Sequence, residues 1–169
     1  MFIGQGTKFL NEYMNLSQTS NEKEWDDFEK NNLGFGFFKY EHLFDEHPTF
    51  FILYKEKEIL AVVKTQKSSS STDQHPFQGI NYGSVKEKYQ GQGLARKLYE
   101  EMFSYFSNGF LLGTDCESEE SQNKLEKMSL KLAKENRVYF LTRRALYEIY
   151  DSLPKTLEEL YATSYYRDI

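Results

Sequence analysis

Apolar residues recur every four positions in the stretch that follows residue 93, and this spacing predicts an amphipathic helix. The repeating residues are Leu94, Leu98, Met102 and Phe106. The polar turn SNG at positions 107–109 ends this helix, and Gly109 suits a left-handed cap. A second pattern of the same period, in SQNKLEKMSLKLAKEN (121–136), predicts another helix that buries Leu125, Met128 and Leu132.

Runs that are rich in β-branched and aromatic residues predict the strands. TFFILYKEKEILAVVKTQ (49–66) predicts a hairpin around the polar turn KEKE. Three further segments have extended character, and they are INYGSVKEKY (80–89), FLLGTDCE (110–117) and RVYFLTRR (137–144). The strands alternate with helices along the chain, so we expect an α/β fold with a sheet of mixed direction.

The remaining segments carry weaker signals. TSNE at 19–22 has the form of a capping box and predicts a helix that buries Trp25 and Phe28. KSSSSTDQHPFQG (67–79) is poor in apolar residues and predicts an exposed, mobile loop. The tail at 145–169 has helical patterns on both sides of Pro154, and it could form a lid, a dimer contact or part of the core.

Composition narrows the class of protein. The chain has 169 residues, enough for one domain with its own core, and a net charge of -5 with a pI near 5.3. This charge disfavours a general nucleic-acid binder and suits a cationic amine substrate. No apolar run is long enough to span a membrane, and the N-terminus lacks the layout of a signal peptide. The single cysteine, Cys116, excludes an internal disulfide, so we expect a cytoplasmic protein.

The start of the helix that follows residue 93 contains two glycines, Gly91 and Gly93, although glycine costs roughly 1 kcal/mol relative to alanine inside a helix. Free N–H groups at a helix N-terminus, together with the helix dipole, favour an anion. Glycine lets the anion approach closely because no Cβ stands in the way. The turn therefore predicts a phosphate site. The alternative is that the glycines only let the helix pack closely on the preceding strand.

Two common phosphate motifs do not fit this turn. A P-loop requires Lys-Ser/Thr after its last glycine, but Leu94 follows Gly93. The dinucleotide pattern requires glycine at position 96, where Arg96 stands. The segment QGQGLA (90–95) instead resembles the acetyl-CoA signature of the GNAT family of N-acetyltransferases. Its context, SVKEKYQGQGLARKLYEEMF, is similar to that family's fourth strand, turn and third helix, except that Glu87 stands where proline is usual.

The resemblance covers about Thr49–Lys134 and implies a mixed, mostly antiparallel central sheet flanked by helices, here followed by a helical tail. We expect one acyltransferase-like domain over 1–169, with a family-like core at about 20–136 and an atypical helical segment at about 145–169. By position, the resemblance implies that backbone N–H groups of the turn hold the CoA pyrophosphate and that strand backbone pairs with the pantetheine arm. The residues concerned are Gly83, Ser84, Val85, Gln90, Gly91, Gln92, Gly93, Leu94, Ala95 and Arg96.

Acetyl transfer requires a deprotonated amine and a donor to the thioester oxygen, and it often uses an acid for the leaving thiolate. The resemblance implies that the donor is the backbone N–H of Val85 and that the base is Glu117 or Asp115, which share a face if the strand continues that far. Alternatively, these carboxylates only stabilise an acidic helix start. The tyrosine that is common on the family's fourth helix is absent, because Met128, Ser129 and Leu130 stand at that spacing. Tyr139 would reach the site only from an unusually long helix.

Two other features of the sequence give weaker evidence of function. EHLFDEH (41–47) gathers histidines and carboxylates, but its spacing matches no common zinc site, so no metal is expected. Its Glu41, Asp45 or Glu46 could instead face a cationic amine. Cys116 alternates away from Asp115 and is expected to be a small buried hydrophobe rather than a nucleophile.

The sequence thus favours an acyl-CoA-dependent N-acyltransferase that moves acetyl from acetyl-CoA to an amine by direct attack. The acceptor is a small molecule or a protein, a homodimer is compatible with the tail, and neither a membrane nor a nucleic acid is expected as a partner. Two alternatives stay open. One is a non-catalytic protein that binds CoA or a partner, and the other is a nucleic-acid-modifying member that would use the basic segment Lys134–Arg144.

Overall fold

The computed structural model describes residues 2–4, 49–55, 58–116 and 118–167. The chain divides into two compact units, Met1–Gln66 with Tyr82–Leu98 and Lys67–Asn81 with Tyr99–Ile169, and each is described by itself. The helix expected at 19–28 and the segment Glu41–His47 lie outside the described residues. The expectation of one domain stays a prediction.

The first unit is built on an antiparallel meander. Strand β1 (Phe2–Gly4) pairs with β2 (Thr49–Lys55), and β2 pairs with β3 (Glu58–Lys67), which confirms the predicted hairpin. Five consecutive β3 residues, from Ala61 to Thr65, are buried. Side chains of a strand alternate between the two faces of its sheet, so this run shows that both faces of β3 are covered.

Strand β4 (Gln78–Val85) contributes its first half to the second unit and its second half to the first. Its pairing with β3 is antiparallel in both units. In the second unit the Ser68 N–H donates to Phe77 O at 3.0 Å, and in the first the Lys86 N–H donates to Leu60 O at 3.0 Å. As residue numbers rise along one strand they fall along the other, which is the antiparallel arrangement.

In the second unit, β4 pairs in parallel with β5 (Phe110–Leu112), and β5 pairs in parallel with β6 (Tyr139–Leu141). Adjacent strands therefore follow chain order, from β1 to β4 in the first unit and from β4 to β6 in the second. Antiparallel pairings outnumber parallel ones among the described strands. The predicted fold class, a mixed and mostly antiparallel sheet with helices, is confirmed.

Both long helices occur where the four-residue spacing predicts them, α1 at Leu94–Tyr105 and α2 at Glu119–Asn136. Within the apolar stripe of α1, Leu98 and Met102 are at most 1% exposed. The cap after α1 differs from the prediction, because Asn108 and not Gly109 adopts the left-handed conformation, with φ of 62°. Gly109 is required for a different reason, since an ideal Cβ there would lie 2.8 Å from Phe106 O.

The segment at 67–79 is not the fully exposed, mobile loop that its polar composition predicts. Its exposed residues surround a tight turn in which the Thr72 N–H donates to His75 O at 2.9 Å and the His75 N–H donates to Thr72 Oγ1 at 3.0 Å. The turn directs His75 and Phe77 inward, where both are buried and their rings lie near that of Tyr139. The stabilisation from burying these two rings is larger than the tendency of the polar residues to leave the segment exposed.

The C-terminal tail is helical, as predicted, and belongs to the core of the second unit. It consists of α3 (Arg143–Ile149), a 3-10 turn (Tyr150–Ser152), α4 (Leu157–Tyr161) and α5 (Ser164–Arg167). Leu160 and Tyr166 are fully buried, and the Tyr166 hydroxyl donates to the Phe140 carbonyl. Of the three roles left open for the tail, which were a lid, a dimer contact and part of the core, these contacts support the last. None of the described helices has the length and apolar character needed to cross a bilayer.

An exposed ion pair joins the tail to the end of α2 and gives a small, pH-dependent contribution to stability. Arg137 Nη2 donates to Glu158 Oε1 at 2.7 Å, and this bond lowers the pKa of the Glu158 carboxyl below its ordinary value of 4.5. A lowered folded-state pKa stabilises the fold above the unfolded-state pKa, and the contribution disappears as the pH falls through the folded value. We therefore expect Glu158→Gln to lower the melting temperature slightly at pH 7 and not at pH 3. Equal shifts at both pH values would contradict this.

Candidate functional site

The turn between β4 and α1 is tied back to the end of β4. A 3-10 turn (Glu87–Tyr89) follows the strand, and the Tyr89 N–H donates to Lys86 O at 2.8 Å. The side chain of Gln90 then reaches back, its Nε2 donating to Val85 O at 3.1 Å. The first residue of the QGQGLA signature therefore fixes the turn against the strand.

Both glycines of the turn are in the left-handed region, with φ of 78° at Gly91 and 76° at Gly93. Glycine adopts this conformation without the steric cost that other residues meet. An ideal Cβ at either position has no atom of the described residues within 4 Å. The space beside both glycines is open, so close packing on the strand does not explain them.

The backbone donors of this turn are free within the described part of the chain. No described group accepts a hydrogen bond from the N–H groups of residues 91–96. Lys97 is the first residue whose N–H is bonded, to Gly93 O at 3.2 Å. A helix start ordinarily leaves four such donors, so this turn presents a longer run than a helix alone would.

The charge around the donors suits an anion. The first turn of α1 contains no acidic residue, and Arg96 and Lys97 are exposed there. The helix dipole adds partial positive charge at this end. Free N–H groups, glycines and cations together favour the binding of an anion such as phosphate.

Beside this turn, the end of β4 has no described partner strand on the edge opposite β3. Its parallel pairing with β5 joins Gln78 to Leu111 and Gly79 to Leu112, and no described pairing with β5 reaches Gly83, Ser84 or Val85. Gly83 is exposed, and its ideal Cβ would lie 3.5 Å from Val63 Cγ2, an ordinary contact. The end of β4 can therefore accept an extended ligand arm along its edge.

Asp115, one of the two predicted catalytic carboxylates, does not lie on a strand. Strand β5 ends at Leu112, so the alternation that would place Asp115 and Glu117 on one face does not extend to Asp115, and Glu117 lies outside the described residues. Asp115 is in the connection to α2 with its side chain 69% exposed, and its Oδ2 lies 4.0 Å from Arg143 Nε. The strand therefore does not continue as far as the shared face of the pair requires, and the catalytic roles of Asp115 and Glu117 stay predictions.

A polar network that the sequence does not reveal bonds the backbone on either side of Asp115. Gln122 of α2 accepts from the Cys116 N–H at 2.6 Å and donates to Thr114 O at 3.4 Å. Its Nε2 also donates to Glu126 Oε1 at 3.1 Å, and Glu126 Oε2 pairs with Arg144 at 2.9 Å. The only sequence signal is the i, i+4 spacing of Gln122 and Glu126 on one helix.

A small cleft lies beside this network in the second unit. Besides Gln122 and Glu126, its wall includes Ser129, one of the positions where the sequence lacks a tyrosine, and Tyr99 from α1. Tyr139 does not line the cleft, since its hydroxyl donates to Pro154 O at 2.7 Å. Burial, with a smaller effect of Cys116, raises the pKa of Tyr99, which therefore stays protonated as a hydrogen-bond donor.

Cys116 is half-buried and free. Burial raises the pKa of its thiol, and Asp115 and Glu126 raise it further. A raised pKa disfavours the thiolate that nucleophilic chemistry needs. Among the described residues no group of three His, Cys, Asp or Glu side chains could hold a metal ion.

The sequence was found to match one family of known proteins. A family model described as "Acetyltransferase (GNAT) family" matches residues 10–128, more than half of the chain. No curated protein matches the sequence.

Several solved structures show partial likeness. An aminoglycoside N-acetyltransferase, AAC(6')-Iy, in complex with CoA has 15% identity and a TM-score of 0.44, over 75% of this chain and 87% of that chain. The 6'-N-acetyltransferase AAC(6')-IG from Acinetobacter haemolyticus has 11% identity and a TM-score of 0.41, over 76% and 89%. The ribosomal-protein-S18-alanine N-acetyltransferase from Escherichia coli has 15% identity and a TM-score of 0.37, over 62% and 57%.

Proposed function

The chain belongs to the acetyltransferase (GNAT) family, and from this we propose that it transfers the acetyl group of acetyl-CoA directly to an amine on a small molecule or a protein. The membership confirms the resemblance drawn from QGQGLA and, with it, the predicted enzyme class and donor. The acceptor and the residues that act on it are the proposal.

The observation that carries the proposal is the run of N–H groups from Gly91 to Arg96, which have no acceptor among the described residues and lie beside two left-handed glycines. A pyrophosphate has several acceptor oxygens and needs several donors at once. We propose that these N–H groups hold the CoA pyrophosphate and that Gln90 keeps their turn in place through Val85 O. Arg96 adds a cation at the rim.

The end of β4 is proposed to hold the rest of the donor. The backbone of Gly83, Ser84 and Val85, which no described pairing with β5 reaches, would bond the pantetheine arm as an added strand. The N–H of Val85 would then donate to the thioester oxygen, where negative charge develops during attack.

The chemical step is direct attack of the amine nitrogen on the thioester carbonyl. A nitrogen–carbon bond forms, the carbon–sulfur bond breaks and CoA leaves as its thiolate, which takes a proton from solvent. Asp115 or Glu117 is proposed to take the amine proton. The raised pKa of the Cys116 thiol disfavours its thiolate, so this residue does not favour a covalent intermediate.

The nucleic-acid alternative requires a free basic surface, and the described contacts do not favour one. Arg137, Arg143 and Arg144 each lie beside a carboxylate, and Lys134 Nζ donates to Tyr166 O at 3.1 Å. Phosphate binding depends on cations that are available to the ligand. These side chains already have partners within the chain.

The proposal is tested by incubating the protein with acetyl-CoA and a panel of amines and measuring free thiol. We expect acceptor-dependent thiol release from at least one of the amines, which should include polyamines, aminoglycosides and lysine peptides. Tight CoA binding without release from any amine would instead support a non-catalytic binding protein. The absence of CoA binding would contradict the donor site itself.

A further inference from the structure

The backbone around Asp115 is held by one side chain from the next helix. Gln122 Oε1 accepts from the Cys116 N–H at 2.6 Å, and Gln122 Nε2 donates to Thr114 O at 3.4 Å. These two groups belong to the peptide bonds on either side of Asp115. One amide therefore bonds both peptide groups that flank the carboxylate, much as a neighbouring strand would.

The orientation of this amide is fixed from its other side. Glu126 Oε1 accepts from Gln122 Nε2 at 3.1 Å, and a carboxylate can only accept here, so the Gln122 oxygen must face Cys116. Glu126 is held in turn by Arg144 at 2.9 Å, and its side chain is 12% exposed. Arg144 is 61% exposed, so this charge-assisted bond lies at the surface and only its Glu126 end is largely buried.

A second contact acts on the same connection. Arg143 Nε lies 3.4 Å from Gly113 O, and it lies 4.0 Å from Asp115 Oδ2. Arg143 and Arg144 are the first two residues of α3, so one end of that helix supports both the backbone and the carboxylate of this segment. The Thr142 side chain caps the helix there by accepting from the Ala145 N–H at 3.1 Å.

We propose that Gln122 is a positioning residue for acetyl transfer, oriented by Glu126, and that it acts by holding the segment which carries Asp115. The inference rests on the proposed function, in which a carboxylate after β5, either Asp115 or Glu117, takes the proton of the attacking amine. Proton transfer requires hydrogen-bond reach, so a loosened segment lowers the rate without changing how the donor binds.

The test compares Gln122→Leu with Asn123→Leu, a matched change at the exposed neighbouring position of the same helix. For an alkylamine acceptor we expect Gln122→Leu to lower kcat roughly 10-fold to 100-fold, as loss of supporting hydrogen bonds commonly does. We expect the Kd for acetyl-CoA to stay within about twofold of the wild-type value, because the segment that Gln122 holds is not part of the proposed donor site. A tenfold change in Kd would correspond to about 1.4 kcal/mol. Asn123→Leu is expected to change neither quantity.

A second acceptor separates positioning from general damage to the fold. Hydrazine is much less basic than an alkylamine, so more of it is already deprotonated and it depends less on a protein base. Gln122→Leu should therefore lower the rate with hydrazine far less than the rate with the alkylamine. Equal losses with both acceptors, or equal rates for Gln122→Leu and Asn123→Leu, would overturn the inference.

Two more variants complete the test. Glu126→Leu should lower kcat by itself and cause no further loss when combined with Gln122→Leu, because the two residues act in series; fully additive losses would contradict this. If Gln122→Leu does not fold, Gln122→Glu keeps the shape and can accept from Cys116, but it cannot donate to Thr114 O and is repelled by Glu126. An unchanged kcat in Gln122→Glu would overturn the inference. Absence of thiol release by the wild-type protein would count against the proposed function instead.

Discussion

Replacing Gly93 with tryptophan is expected to abolish CoA binding while the protein stays folded. The ideal Cβ of Gly93 points into space that no described atom occupies within 4 Å, so a large side chain fits the free protein. The same space is where the proposed pyrophosphate approaches the N–H groups of the turn, and the indole would fill it. We expect the Kd for CoA, measured by calorimetry, to rise at least 100-fold, or about 2.7 kcal/mol.

Gly93→Asn is the matched control for backbone strain. Position 93 has φ of 76°, where an L-residue costs roughly 1–2 kcal/mol, although asparagine tolerates this region better than most residues. Both variants carry some strain, but only tryptophan carries bulk. Asparagine should therefore weaken CoA binding far less than tryptophan. Equal weakening would trace the loss to backbone conformation, and unchanged binding in both variants would contradict a donor site at this turn.

The parts of the fold that the sequence predicts are those set by local physics. The four-residue stripe of α1 and the β-rich runs of the hairpin each satisfy a periodicity that one element imposes on its own residues. The turn before α1 is predictable for the same reason, because Gly91 and Gly93 act through their own backbone conformation. These elements occur where the patterns place them. Their ends can differ by one residue from the prediction, as at the left-handed cap, which is Asn108.

The features that the sequence does not predict depend on distant residues. His75 follows a run of serines, and only the rings near it, including that of Tyr139, make it a buried residue. The hydrogen bond from the Cys116 N–H to Gln122 joins α2 to the connection that follows β5 and carries Asp115. Nothing in the composition of either segment reveals the other. Contacts of this kind need the assembled fold before they can be seen.

The tail is the clearest case in which packing rather than propensity decides. Helix α4 has five residues, and a helix that short is not stable in water alone. Its N-terminus is capped by Thr156, whose Oγ1 accepts from the Glu159 N–H at 3.1 Å. The larger contribution comes from Leu160, which is 0% exposed. A lid that rests on the surface would not bury a residue so completely.

We therefore expect Leu160→Ala to destabilise the protein by about 2–5 kcal/mol, the range for removing a fully buried leucine. Leu157→Ala is the matched control, because it changes the same residue type on the same helix at a half-buried position, and it should cost less than half as much. Urea unfolding at an unchanged m-value measures both free energies. A small and equal loss in the two variants would show that the tail is a loosely attached lid, whereas a large loss confined to Leu160 makes the tail part of the core.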